Sequence, residues 1–70
     1  MDQRGTLEAA AWAWMNIHRP DDKLIALAIA NVADLFDVGS WPDVDRLAEL
    51  TDFADGSISR SLVRLKQMFQ

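Results

Sequence analysis

The 70-residue chain contains no cysteine, which excludes a disulfide framework and any thiolate metal site and suits a reducing compartment. His18 is its single histidine. With no second His and no Cys beside it, no metal or other cofactor is expected, and His18 reads as a cation near a helix C-terminus or a partly buried side chain. Long hydrophobic runs are absent too. The longest, Leu24 to Ala30, falls far short of the roughly 20 apolar residues that cross a bilayer, so it reads as a core helix and no membrane contact is expected. Met1-Asp2-Gln3-Arg4 lacks the basic-then-apolar order of a secretory signal, and the expected location is the cytoplasm. Strand-like alternation, repeats and low-complexity tracts are missing. So are a nucleophile-base pairing, paired buried carboxylates and a Gly-rich phosphate loop, and the expectation is a protein that is not an enzyme.

Half of the residues are apolar, three of them Trp and three Phe, too many for an intrinsically disordered chain. Residues 1–70 are therefore expected to form one domain, near the lower size limit for a fold without staples. Seven basic residues stand against eleven acidic ones, for a net charge of −4, whereas nucleic-acid binders are usually basic. The imbalance is uneven: the only clearly basic stretch is residues 56–70, with Arg60, Arg64 and Lys66 and no acid.

Four helices are expected. The first runs from a Thr6 cap to about His18, with Leu7, Ala10, Ala11, Trp14, Ile17 and His18 facing inward and Trp12 on the opposite side. Arg19-Pro20 ends it, since the residue before proline is pushed out of helical geometry. Asp21 or Asp22 caps a second helix, Lys23 to about Phe36, in which Leu24, Ala28, Val32 and Leu35 form a stripe widened by Ile25, Ile29 and Phe36. This should be the central helix. After a turn at Asp37–Ser40, Asp43 caps a third helix from Val44 to about Thr51. A fourth, Asp55 to about Phe69, places Ile58, Leu62, Leu65 and Phe69 on one face. The fold class expected is all-α, a compact four-helix domain.

Residues 44–65 have the layout of a helix-turn-helix: small Ala48 where two helices cross, a tight turn at Asp52, and Ile58 opening the core face of the second helix. A pair of antiparallel helices fits the same apolar positions. The runs Lys23–Ala30, Gly39-Ser40-Trp41-Pro42-Asp43, Arg46-Leu47-Ala48-Glu49-Leu50-Thr51 and Ser57–Leu65 together resemble, over about residues 12–66, the winged helix-turn-helix domains of phage and plasmid replication proteins and related bacterial regulators. The resemblance implies a DNA-binding module, with the helix at about 55–69 reading the major groove of double-stranded DNA. It also implies that Trp41 plugs the core. Three departures weaken it: Asp52 stands where the family prefers Gly, Ala54 replaces a Ser or Thr cap, and Asp55-Gly56 replaces residues that are often polar or basic. The family continues into a β-hairpin wing, expected here to be missing or truncated.

Ser57, Arg60, Ser61 and Arg64 read as one exposed stripe on the last helix, with Arg46 and Lys66 reaching phosphates from either side. The same cations would equally solvate the helix and complement its negative end. Trp12, with Ala9, Ala13 and Asn16 nearby, is a candidate dimer or partner surface, unless the N-terminal arm or the far end of the last helix folds over it. The rival to a DNA-binding regulator is an acidic protein-protein interaction module, an inhibitor, adaptor or DNA mimic, on the same scaffold.

Overall fold

Pro20 fixes where the central helix begins, because its locked φ and missing N–H suit the first helical position. In the computed structural model, which describes residues 3–69, the elements are α1 (Gln3–Asn16), α2 (Pro20–Val32), a 3-10 turn at Val38–Ser40, α3 (Val44–Thr51) and α4 (Asp55–Met68). The chain is all-α, with no strand among the described residues. α2 packs against α1, α3 and α4, and α3 against α4. Ile25, Ile29, Leu35, Leu47, Ile58 and Leu65 are fully buried and form the centre of the core.

α2 stops at Val32, short of the expected Phe36. Three polar side chains explain the difference. Asp34 Oδ1 accepts from Phe36 N at 3.0 Å, Asp37 Oδ1 from Gly39 N at 3.1 Å, and Ser40 Oγ from Asp34 N at 3.2 Å. These bonds offer the backbone a local alternative to the helical ladder, which is why such residues favour turns. Leu24 and Val32, expected inward, are exposed, while Ala26 and Ala30 are buried.

The expected inward face of α1 is also reversed. Of Leu7, Ala10, Ala11, Trp14, Ile17 and His18, only Ile17 is buried, and its buried companions are Ala9 and Ala13. α1 and α2 both bury small residues where they pack, which lets the two axes approach closely. The helix starts by Gln3, so Thr6 lies within it and is not its cap.

Large aromatic side chains close the far end. Phe69, at the end of α4, lies 5.2 Å from the Trp12 ring and 5.8 Å from both Phe36 and Trp41, and Trp12 meets Phe36 edge-on at 5.6 Å. Such tilted and edge-to-face arrangements are the favoured ones for aromatic pairs. Trp41 also donates from Nε1 to the Leu35 carbonyl at 3.0 Å, which gives its half-buried indole a polar partner.

Candidate nucleic-acid interface

α3 is built by its ends. The Asp43 carboxylate accepts from Arg46 N at 2.9 Å, satisfying one of the free N–H groups at the helix start. At the other end Asp52 takes a left-handed conformation, φ 61°, and its N–H closes onto Ala48 O at 2.8 Å. Thr51 Oγ1 donates to the Leu47 carbonyl at 2.7 Å and accepts from Phe53 N at 3.3 Å. Three residues, Asp52-Phe53-Ala54, thus carry the chain from α3 into α4. No side chain caps α4: Ala54 holds the extended cap conformation without an oxygen to offer.

The rotation of α4 is set by an internal polar lock. Asp22, on the first turn of α2, is buried, and its carboxylate accepts from Ser61 Oγ and, in two-pronged fashion, from Arg64 Nε at 2.9 Å and Nη2 at 2.7 Å. Asp21 adds a longer contact to Arg64 Nη2 at 3.4 Å, and Arg19 Nε lies 3.8 Å from the Asp22 carboxylate. Burial by itself would raise the Asp22 pKa. The Arg64 and Ser61 hydrogen bonds and the charges of Arg64 and Arg19 outweigh it, holding the carboxyl below its ordinary range. Arg64 is correspondingly pushed up, chiefly by its bond to Asp22.

Two of the four residues expected on one exposed stripe therefore belong elsewhere. Ser61 is fully buried, and the half-buried Arg64 is turned toward α2. The reason is angular: at about 100° per residue, Ser61 stands only about 40° from Leu65, inside the arc that faces the core. Ser57 is half-buried at the edge, and Arg60 alone of the four is fully on the outside. Arg60 folds back along its own helix, with Nη1 3.5 Å from where a Cβ on Gly56 would stand. No carboxylate among the described residues lies within ion-pair distance of it. The outward face of α4 also includes Ser59, Val63 and Gln67, which the stripe reading missed although they share Arg60's side of a 3.6-residue period.

The flanking cations differ. Arg46 lies on α3 with Nη1 3.5 Å from Glu49 Oε2, both exposed, a weak surface pair that phosphate can displace. Lys66 is exposed beside an open cleft of about 310 Å³ lined by Val38, Trp41, Pro42, Asp43, Val44 and Leu62.

The surface expected around Trp12 is corrected as well. Ala9 and Ala13 are core residues, and Trp12 is half-buried under Phe69 and Phe36, so the far end of α4 does fold over it. Asn16 is exposed and spends its amide on the Trp12 carbonyl at 2.8 Å. Among the described residues no group of His, Asp or Glu is placed to hold a metal ion, and no helix is long and apolar enough to cross a membrane. Comparison with known protein families, characterised proteins and solved structures gives no match to this chain.

Proposed function

We propose that this chain is a DNA-binding helix-turn-helix module, a transcription regulator or replication-type accessory acting in the cytoplasm by binding rather than catalysis. The observation that carries the reading is the left-handed turn at Asp52, which leads α3 into an α4 whose outward side holds Arg60 without a carboxylate partner among the described residues. Arg60 supplies a forked donor for guanine, Ser59 and Gln67 supply adaptable hydrogen bonds, and Val63 supplies methyl groups that suit thymine. Arg46 and Lys66 serve the phosphates. The resemblance to winged helix-turn-helix domains supports the same assignment. A fluorescence-anisotropy titration with random duplex DNA at about 50 mM salt tests it: binding should weaken on adding salt, by about 0.9 in log-log slope for each phosphate contacted. No binding at that salt concentration sinks it.

The rival is an acidic protein-binding module, and one observation favours it: Arg64 is neutralised internally by Asp21 and Asp22 in a chain already at −4. Its signature is capture of a basic protein under the same low-salt conditions, with duplex DNA unable to compete.

A further inference from the structure

α1 has two apolar faces, and the fold uses one. Ala9, Ala13 and Ile17 are buried, whereas Leu7, Trp14 and Met15 are 68%, 63% and 74% exposed, with exposed Ala11 among them. Positions 7, 11, 14 and 15 follow the i, i+4, i+7, i+8 spacing by which an amphipathic helix turns a stripe toward a core. Here that stripe faces water, and exposed apolar groups gathered on one face mark an interaction surface.

We propose that this face docks against the same face of a second copy, α1 antiparallel to α1, about a two-fold axis at Ala11. An antiparallel pair centred on Ala11 sets position 7 opposite 15 and position 8 opposite 14. Leu7 then meets the partner's Met15, and Ala11 meets the partner's Ala11 at the point of closest approach, where a small residue lets two axes come within about 8–10 Å. Charge decides the direction. Lys23 Nζ sits 4.5 Å from the centroid of the Trp14 ring, so the position opposite Glu8 carries a cation. Antiparallel docking brings Glu8 to the partner's Lys23, and symmetry supplies the contact twice. Parallel docking would set Glu8 against the partner's Glu8 and Lys23 against the partner's Lys23, which is repulsive at both ends. The contact is one helix wide, at the small end of interface sizes, so a weak, reversible dimer is expected. It does not depend on the DNA-binding reading.

Sedimentation equilibrium from micromolar to near-millimolar protein tests the proposal. The expected result is a concentration-dependent monomer-dimer equilibrium that Ala11→Arg shifts to monomer while the thermal melt of the monomer is unchanged. Glu8→Lys and Lys23→Glu should each weaken the dimer several-fold, and the double variant Glu8→Lys/Lys23→Glu should restore it. A monomer at all concentrations overturns the proposal and leaves the face to a different occupant. So does a dimer indifferent to Ala11→Arg, or a double variant as weak as the singles. If Lys23→Glu impairs folding, Trp14→Ala takes its place, and a dimer of undiminished strength in that variant overturns the proposal equally.

Discussion

Arg64 holds the carboxylate of Asp22 from 42 positions away in the chain, one nitrogen on each oxygen at 2.9 and 2.7 Å. The pair joins the first turn of α2 to the middle of α4, and Ser61 completes it from one turn earlier. A forked guanidinium on a carboxylate constrains orientation as well as distance. The lock therefore sets which side of α4 faces the solvent, and so which residues that helix can present.

The lock gives the fold an acid-sensitive component with a definite sign. The Asp22 carboxyl is held below its ordinary range in the folded protein, so the unfolded chain binds protons more readily. Its contribution to stability is complete above the ordinary carboxylate range near pH 4 and is lost as pH falls through the lower, folded-state value. Urea midpoints measured from pH 7 down to pH 3 should fall more steeply for the wild type than for Asp22→Asn. Parallel curves would mean the carboxylate contributes nothing. At pH 7, Asp22→Ala should lower Tm by about 5 °C or more, the shift that roughly 1 kcal/mol produces in a domain of this size.

How far the sequence discloses this arrangement differs from residue to residue. α3 is readable to within its ends, because Asp43, Asp52 and the Leu47 position carry local signals for cap, turn and core. The end of α2 is not, since apolar periodicity runs on through Leu35 and Phe36 while the decisive bonds come from Asp34, Asp37 and Ser40 side chains. The buried face of α1 is hard to read because its large apolar side chains dominate the pattern, whereas close packing selects Ala9 and Ala13. Ser61 and Arg64 are misread because a polar residue inside a core-facing arc is ordinarily an exception, and its partner, Asp22, lies on another helix. Ser61's angle beside Leu65 was the available clue.

Phe69 is the hub of the aromatic cluster, touching Trp12, Phe36 and Trp41. Phe69→Ala removes three ring contacts at once and should cost about 2–3 kcal/mol, less than the roughly 3–5 kcal/mol of a fully buried Phe because Phe69 is only partly buried. Trp12 and Trp41 become more hydrated together, so the emission maximum of the folded protein should move to longer wavelength. An unchanged spectrum with unchanged stability would show that the end of α4 is not seated on α1.

Asp52 occupies a left-handed conformation, φ 61°, without the freedom of glycine. Asp52→Gly removes the Cβ clash at that φ but frees the unfolded chain, and the two effects together should leave a gain of about 0.5–1 kcal/mol. Asp52→Val should instead destabilise, because a β-branched side chain tolerates that region least. Chemical denaturation of the two variants checks both signs. A stabilised valine variant would mean that the turn does not bend as it does here.

Arg60 and Arg64 lie one turn apart on α4, yet they should respond oppositely to the same substitution. Arg60 is exposed, with no carboxylate partner among the described residues, so Arg60→Ala should leave Tm within about 3 °C and weaken duplex binding about tenfold, the loss typical of one forked base contact. Arg64 is committed to Asp22, so Arg64→Ala strips the buried carboxylate of its two-pronged partner, leaving it only Ser61 and the more distant Arg19, and should lower Tm clearly, while binding by the folded fraction changes little. Measuring melts and anisotropy isotherms on both variants separates the two roles. If Arg64→Ala abolished binding at an unchanged Tm while Arg60→Ala bound normally, the guanidinium held by Asp22 would be the one that meets DNA. The outward face of α4 would then lie about 40° from the position assigned here.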